Sequence, residues 1–378
     1  MTGATGYVGS RLITALLADG HDVVAATRNP AILKRFGWNT NVEAVTLGAG
    51  DPAITRMVFA AAGPIDVIYY LVHGIGQPGF RVADNVAAAN VAAAARDAGV
   101  ARIVYLGGFV PEGEDGALSE HLTSRAEVAG ALCLDGGPEV VWLGAAMIIG
   151  AGSASFEILR YVGDRFPAIP ALSWIDNPID PISIRDVLYY LLAAADPGLV
   201  PAGGYDICGP DTTTYRGLLT AYLRAAGTRR PGLPILGVDN GVPKRLGAWI
   251  AGSILPVPSG LTADLVASLE HPMAASRHRL PAGVPDPPGG KTAVADAIVA
   301  TLSGSSSGPV DELDDPHHLA DSDPVWAGGD ALRIRRLATV VTPPIARPAL
   351  RLVSMVPGPV AGVVRTGLDT LIDLTRST

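Results

Sequence analysis

Short apolar runs and longer stretches with helical spacing alternate along the first 150 residues of the chain. The apolar runs are HDVVAATRN (21–29), VEAVTL (42–47), IDVIYYLV (65–72), ARIVYLGG (101–108) and EVVWLGA (139–145). Runs of this kind are typical of parallel strands that are covered on both faces. The stretch SRLITALLADG has apolar residues at helical spacing and stops at Gly20, as a helix C-cap would. The pattern predicts an α/β fold with a doubly wound parallel sheet.

Predicted strands and helices are less frequent beyond residue 150. PIDPISIRDVLYYLLAAA, GGYDICGP and YRGLLTAYLRAAG indicate strands and helices of a smaller lobe laid over the sheet. We therefore assign residues 1–150 to the sheet domain and residues 151–302 to a lobe that shapes a substrate pocket. A helix predicted from about Arg81 to Ala98 has alanine on most of its faces, which we interpret as close packing.

The composition changes at Ser303. Residues 303–330 hold seven acidic side chains and no Lys or Arg, which predicts a solvated acidic linker. Residues 331–378 form a tail of seven arginines among Val, Leu, Ile and Pro. Its longest uncharged run is thirteen residues with two prolines, and a membrane span needs about 20 apolar residues. Two interpretations of the tail stay open, which are peripheral contact with an anionic membrane and packing against the second lobe.

The net charge and the cysteine content limit which binding partners are expected. A net charge of -8 gives no basic footprint for nucleic acid, which we exclude as a partner. Cys133 and Cys208 lie far apart without ligand-spaced histidines, so we expect buried thiols and no metal site. No charged and apolar leader opens the sequence. We expect a cytoplasmic protein, with the inner membrane face as a peripheral site if the tail binds lipid.

The chain opens MTGATGYVGSRL, which has the glycine spacing of a dinucleotide-binding turn. Gly3 allows the tight turn, Gly6 lets the backbone approach a pyrophosphate, and Gly9 allows the following helix to pack closely. Backbone N–H groups from Thr5 to Val8 then point at phosphate oxygens. A buried strand precedes this turn in the Rossmann arrangement, but only two residues precede Gly3 here. We expect a first strand that is truncated because the true start lies upstream, and natural truncation is the alternative.

TGATGYVG also has the TGxxGxxG spacing of the extended and atypical short-chain dehydrogenase/reductase superfamily. Further on, IDVIYYLVHGIG, RIVYLGG, IIGAGSASFEILRY and PISIRDVLYYL resemble, in order, the blocks of an NAD(P)-binding branch related to NmrA-like and NAD-dependent epimerase/dehydratase-like proteins. The resemblance covers roughly residues 1–300. It implies a Rossmann domain whose cofactor contacts come from Gly3, Thr5, Gly6, Tyr7, Val8, Gly9, Leu71, His73 and Gly107.

The second strand ends in Thr27-Arg28-Asn29, where an NAD-binding relative would have an acidic residue for the ribose 2′-hydroxyl. An arginine at this position favours the 2′-phosphate, so we expect NADP(H) over NAD(H). The alternative is a surface arginine without a ligand. Relatives have a GDLxDP-like stretch after the third strand, whereas this chain has LGAGDP, so we assign Asp51 no adenine contact.

The residues implied for catalysis are altered. Relatives use a Ser or Thr after the strand that here ends in Gly107 and Gly108, and a YxxxK pair on the next helix. His121 and Arg125 have that spacing in SEHLTSRAEV. His121 could exchange a proton and Arg125 could hold a ribose or phosphate oxygen, unless both lie on a solvated helix face. His73 is a weaker candidate.

Two classes of function therefore stay open. The first is an NADP-dependent oxidoreductase for a small apolar substrate, because GAGSASFEILRY and FPAIPALSWIDNP would line a pocket poor in charge. The second is an NADP(H)-binding protein without turnover, either a redox sensor or an assembly and scaffold protein with a protein partner. His317 and His318 lie in the acidic linker, where we expect exposure to solvent, with a weak metal site as the alternative.

Overall fold

The computed structural model describes residues 1–109, 118–166, 173–227, 255–274, 279–304 and 306–330. The predicted tail, residues 331–378, lies outside this part. The strands are β1 (Val24–Thr27), β2 (Glu43–Thr46), β3 (Val67–Tyr70), β4 (Arg102–Gly108), β5 (Glu139–Ala145), β6 (Ile148–Ile149), β7 (Pro178–Ile179), β8 (Ile182–Ser183), β9 (Gly203–Ile207) and β10 (Thr213–Thr214). The α-helices are α1 (Tyr7–Ala18), α2 (Pro52–Ala61), α3 (Phe80–Asp97), α4 (Glu120–Leu132), α5 (Ala154–Arg165), α6 (Ile184–Ala193), α7 (Tyr215–Ala225), α8 (Ser259–Ser268) and α9 (Val294–Ser303).

The main sheet is parallel, as the apolar runs predict. β1 pairs with β2, while β3, β4, β5 and β9 pair in that order. Thr2 joins the two groups, because it forms parallel bridges to Ala26 of β1 and to Tyr70 of β3. The sheet therefore runs β2-β1-Thr2-β3-β4-β5-β9, and the prediction of a doubly wound parallel sheet is confirmed.

Met1 and Thr2 occupy the central position of this sheet. The Met1 carbonyl accepts a hydrogen bond from the Ala26 N–H at 2.9 Å, and its ammonium group donates to the Val24 carbonyl at 2.8 Å. A cavity of about 1290 Å³ lies beside Met1 and is lined by residues of both β1 and β3. In the described part of the chain, two residues alone thus join β1 to β3.

Helices cover both faces of the sheet. On one face, α1 and α6 pack over a core that includes Leu12, Ile13 and Trp38. On the other face, α3 packs against α2 and α4, and its buried alanines contribute to a core with Phe59 and Ile103. Alanine side chains are small, so α3 can lie close to both the sheet and its neighbouring helices. The result is a three-layer α/β/α arrangement.

The segment GGYDICGP belongs to the main sheet, and its predicted place in the smaller lobe is wrong. Its residues Gly203–Ile207 form β9, which runs parallel to β5 with Tyr205 opposite Leu143. The preceding helix α6 packs against α1. The chain therefore enters the second lobe after residue 150 and then returns to the sheet, because the exposed edge of β5 accepts one more parallel strand.

The second lobe has a core of its own. α5 and α7 pack together, with Phe156 edge-on to Tyr222, and α9 packs against α7. Buried apolar side chains of these helices and of the loop that carries Met273 form one cluster. This cluster lies next to the carboxyl ends of β4 and β5, through Phe109 and Met147. The lobe is thereby placed over the edge of the sheet where parallel α/β folds bind ligands.

Residues 306–330, which we call the acidic segment, are not the solvated linker that their composition predicts. Asp323 and Asp330 are 3% and 1% exposed. Asp323 forms an ion pair with Arg11 of α1 at 2.7 Å, and Asp330 pairs with Arg165 of α5. Buried arginines need anionic partners, and carboxylates of this segment provide them. The acidic segment is therefore packed against both the sheet domain and the second lobe.

His317 of the acidic segment is also buried, contrary to expectation, while His318 is half-buried. The His317 Nε2 lies 2.8 Å from the Ser183 Oγ, and the His317 Nδ1 lies 2.6 Å from Asp315 Oδ1. The hydrogen bond from His317 lowers the pKa of Asp315 to about 2. Ser183 is 1% exposed, caps α6 and lines neither described cavity. This Asp–His–Ser chain therefore anchors the segment to β8 and α6.

The prediction of two buried thiols is wrong for Cys133, which is exposed at the end of α4, while Cys208 is half-buried. Cys133 follows the last turn of α4, where the chain reaches the surface. None of the helices in the described ranges is long and apolar enough to cross a membrane.

Candidate functional site

The glycine turn fits tightly against the carboxyl end of β3. Gly3 has a φ of +72°, and a Cβ there would lie 2.6 Å from the Leu71 carbonyl oxygen. A Cβ on Gly9 would lie 2.2 Å from the Gly3 carbonyl oxygen. The Gly6 N–H donates to that same oxygen at 3.0 Å. Side chains at the first and third glycines would therefore displace backbone.

The N-terminus of α1 follows this turn and offers backbone donors. α1 begins at Tyr7 with Gly6 as its N-cap, and no side chain caps it. The first N–H groups of a helix have no intrahelical acceptor, and the helix dipole favours an anion there. Gly6 is exposed, Thr5 and Val8 are half-buried, and the Tyr7 ring lies under the Arg11 guanidinium at 4.2 Å. The turn can bind a phosphate through backbone N–H groups.

Side chains that follow β1 and β3 flank the turn. Arg28 comes directly after β1 and is exposed, with no hydrogen-bond partner in the described part of the chain. His73 comes three residues after β3 and is exposed as well. Asp51 accepts hydrogen bonds from the Ala53 and Ile54 N–H groups and so caps α2. Asp51 therefore has a structural role as the cap of α2.

The two glycines at the end of β4 differ in the space around them. A Cβ on Gly107 would lie 2.4 Å from the Trp142 indole nitrogen. A Cβ on Gly108 would have ordinary contacts, the nearest being Arg125 Cγ at 3.8 Å. Glycine at 107 therefore leaves room for Trp142, whereas position 108 could accept a serine.

His121 and Arg125 lie one turn apart on α4, and both are half-buried, so this is not a solvated helix face. Arg125 lies beside the end of β4, since a Cβ added to Gly108 would lie 3.8 Å from Arg125 Cγ. His121 Nδ1 lies 2.9 Å from the Ser268 Oγ of α8. His73 is near enough to affect the pKa of His121. The structure thus brings His73, His121 and Arg125 together next to Gly108, at the carboxyl edge of the sheet.

A cavity of about 130 Å³ lies between this group and the second lobe. Four polar side chains reach it, from His121, Ser155, Tyr215 and Ser268, and no Asp, Glu, Lys or Arg lines it among the described residues. The remaining lining is apolar and comes mainly from α5, α7, α8 and the loop segments around Trp174 and Met273. Such a lining favours an uncharged, largely apolar ligand.

Both segments predicted to line a pocket contribute to this cavity. GAGSASFEILRY contributes residues of α5, and FPAIPALSWIDNP contributes Trp174 and Ile175, while residues 167–172 lie outside the described part. The sequence prediction missed Tyr215 and Ser268. No motif in the neighbouring sequence marks either residue as part of a site. Ser268, for example, is an ordinary residue of the helix SGLTADLVAS. Their roles follow from tertiary contacts alone.

The environment of His121 disfavours its charged form. Burial, followed by the charges of Arg125 and His73, lowers its pKa to about 3. At neutral pH the imidazole is therefore uncharged, with one nitrogen that donates a hydrogen bond and one that accepts. In this state His121 can accept a proton or a hydrogen bond, but it cannot act as a general acid.

The low pKa of His121 predicts a pH dependence of stability. Because the unfolded chain takes up a proton near pH 6.5 and the folded chain does so near pH 3, this contribution is complete above pH 6.5 and is lost as the pH falls toward 3. Urea unfolding at several pH values measures the slope. We expect His121→Gln to make the free energy of unfolding less dependent on pH, by an amount that corresponds to the uptake of up to one proton on unfolding. An unchanged slope would contradict burial of a neutral His121.

The described residues bring no group of three or more potential His, Cys, Asp or Glu metal ligands together. Comparisons with known proteins agree on the N-terminal domain. Residues 3–129 match a family described as NAD(P)H-binding. The predicted NAD(P)-binding domain is confirmed over these residues. The match includes the glycine turn, His73, Gly107, His121 and Arg125.

Two solved structures with a similar fold are an epimerase and an enzyme in complex with NAD and UDP. A nucleoside-diphosphate-sugar epimerase from Staphylococcus aureus is 16% identical, with a TM-score of 0.58 over 79% of this chain and 98% of that chain. The enzyme WbmG from Bordetella bronchiseptica, in complex with NAD and UDP, is 18% identical, with a TM-score of 0.52 over 63% of this chain and 82% of that chain. At this identity they establish the Rossmann fold.

Proposed function

We propose that the chain binds NADP(H) at its glycine turn and acts as an oxidoreductase on a small apolar substrate. One observation supports this most strongly. The apolar cavity lies beside Gly108 and His121, at the same carboxyl edge of the sheet that carries the glycine turn. A cofactor that extends from the turn along this edge would reach the mouth of the cavity.

The residues present fit a dinucleotide. Close contacts at Gly3 and Gly9 keep the turn free of side chains, and the uncapped N-terminus of α1 supplies donors for the pyrophosphate. Arg28, which follows β1, would meet a 2′-phosphate, and Arg125 would meet a ribose or phosphate oxygen. When bound, the nicotinamide would supply or accept a hydride. Within the cavity, His121 would orient the polar group of the substrate, and the apolar lining would exclude water.

The cofactor preference predicts a selective effect at Arg28. We expect Arg28→Ala to weaken NADPH binding about tenfold or more and to leave NADH binding nearly unchanged, because a hydrogen bond to a charged group contributes roughly 1.5–3 kcal/mol. Fluorescence titration with both cofactors measures this. Arg35→Ala, which removes a nearby exposed arginine, is the control and should affect neither. If Arg28→Ala weakens the binding of both cofactors equally, Arg28 does not recognise the 2′-phosphate.

The chemistry of the cavity supports an apolar substrate over the sugar nucleotides named for the structural neighbours. A nucleoside diphosphate carries charged phosphates that need cationic or backbone donors. The described lining of the cavity has no Lys or Arg, and most of its side chains are aliphatic or aromatic. We therefore propose a substrate with one polar group and an apolar body.

A second function is favoured by the altered catalytic positions. Gly107 and Gly108 stand where relatives have hydroxyl side chains, and a neutral His121 cannot act as a general acid. These changes suit a protein that binds NADP(H) without turnover, as a redox sensor or a scaffold for a protein partner. NADPH oxidation over a panel of apolar aldehydes and ketones separates the two. Turnover supports the oxidoreductase, whereas tight cofactor binding without turnover supports the sensor.

A further inference from the structure

Three side chains from two lobes of the molecule meet beside the apolar cavity, and two of them, His121 and Ser268, line it. Ser268, the last residue of α8, has its Oγ 2.9 Å from His121 Nδ1 and 3.0 Å from the Ser119 Oγ. The same Oγ lies 3.1 Å from the Asp264 carbonyl oxygen, one turn earlier in α8. Ser119 is the N-cap of α4 and accepts a hydrogen bond from the Leu122 N–H. Ser268 is 6% exposed, so water does not replace these contacts.

The single hydroxyl proton of Ser268 limits how these hydrogen bonds can be arranged. The Asp264 carbonyl can only accept, so the single Ser268 hydroxyl proton is donated to it. Ser268 Oγ then has two lone pairs left for its two other neighbours. In this arrangement the Ser119 hydroxyl can donate to one, and an N–H on His121 Nδ1 can donate to the other. If His121 Nδ1 carried no proton, it and the Asp264 carbonyl would compete for the one Ser268 proton.

We propose that Ser268 is a positioning residue that holds His121 with its proton on Nδ1, so that Nε2 presents a lone pair to the cavity and selects an apolar alcohol. An imidazole in this tautomer accepts a hydrogen bond at Nε2 and donates none there. A hydroxyl group can donate a hydrogen bond to Nε2. A carbonyl oxygen has no proton to donate, so its lone pairs would repel the lone pair of Nε2. The inference rests on the proposed function in taking this cavity as the ligand site.

The size of the cavity indicates the scale of the ligand. Its volume is about 130 Å³, and an apolar cavity of about 150 Å³ holds benzene. A six-membered ring with one hydroxyl group is therefore a suitable probe. Cyclohexanol, cyclohexanone and methylcyclohexane share this skeleton and differ in the one group that would meet His121.

The tautomer is measured directly by nitrogen NMR of the full chain labelled with ¹⁵N-histidine, without cofactor. His121→Gln identifies the signals of His121 among the seven histidines. We expect a protonated Nδ1 and an unprotonated Nε2 in the wild-type chain and in Ser119→Ala, because Ser268 still accepts from His121 there. Ser268→Ala should lose this preference. A wild-type His121 that is protonated on Nε2 would overturn the proposal, and this result does not depend on whether Ser268→Ala folds.

Ligand binding provides the second readout. We expect the wild-type chain and Ser119→Ala to bind cyclohexanol about two- to tenfold more tightly than cyclohexanone, measured by ligand-observed NMR, and Ser268→Ala to lose this ratio. Equal affinities in the wild-type chain, or binding of none of the three probes, would overturn the selection of an alcohol. NADPH titration is scored separately. Alcohol selection without NADPH binding contradicts the proposed function, and NADPH binding without alcohol selection contradicts this inference alone.

Discussion

The substitution Gly9→Ala should abolish most of the NADPH affinity of the chain. The added Cβ would lie 2.2 Å from the Gly3 carbonyl oxygen and 3.0 Å from the Gly3 carbonyl carbon, so the backbone of the turn has to move. Moving it breaks the alignment of the N–H groups with the pyrophosphate. Loss of one or two hydrogen bonds to charged phosphate oxygens corresponds to roughly 3 kcal/mol, or about a hundredfold. Fluorescence titration with NADPH measures the loss.

Gly130→Ala is the matched control for this experiment. Gly130 is an exposed residue near the end of α4, and an added Cβ there meets nothing within 4 Å. Alanine at such a helical position is neutral or slightly stabilising. Affinities that match between the Gly9→Ala and Gly130→Ala variants would show that the glycine turn is not the binding site.

Removal of the Asp323 carboxylate should cause the largest loss of stability. Asp323→Ala leaves the Arg11 guanidinium, whose side chain is 1% exposed, without its carboxylate partner. Breaking a buried ion pair from one side costs roughly 3–5 kcal/mol, because the remaining charge stays desolvated. Urea unfolding monitored by circular dichroism measures the change in the free energy of unfolding.

An exposed ion pair in the same protein provides the comparison. Asp176 and Arg216 lie 2.7 Å apart, with side chains 64% and 39% exposed. Exposed pairs contribute about 1 kcal/mol or less, so Asp176→Ala should change stability little. The double variant Arg11→Met with Asp323→Leu should recover much of the loss, because both charges are then absent. A small effect of Asp323→Ala would contradict burial of the acidic segment.

The sheet and the glycine turn could be predicted from the sequence because their signals are local. Each strand of the first 150 residues is an apolar run, and the turn requires glycine at Gly3 and Gly9 for reasons of backbone geometry. β9 could not be assigned in the same way. The segment GGYDI has the pattern of a short strand, but a strand pattern does not say which neighbour it pairs with.

Burial of the acidic segment could not be predicted from its composition. Acidic, Ser- and Gly-rich sequences are usually solvated, but here Asp323 pairs with Arg11, which is 312 positions earlier in the sequence. A signal did exist in α1, where Arg11 stands beside Leu12 and Ile13 on a helix that packs against the sheet. An arginine in such surroundings needs an acidic partner, although the sequence does not identify it.

The candidate catalytic residues were predictable only in part. The spacing of His121 and Arg125 on one helix identifies them as a pair on the same face. The contact between His121 and Ser268 joins two lobes over 147 positions of sequence. Long-range contacts of this kind leave no periodic pattern, so the environment that lowers the pKa of His121 had to come from the structure.

Binding of NADP(H) at the glycine turn is tested most directly by hydrogen–deuterium exchange of the full chain with and without NADPH. We expect slower exchange in peptides that cover the turn and the start of α1, and in the peptide that contains Arg28, with little change in α2. Protection confined to other regions, or none at saturating NADPH, would contradict the assignment of the cofactor to this turn.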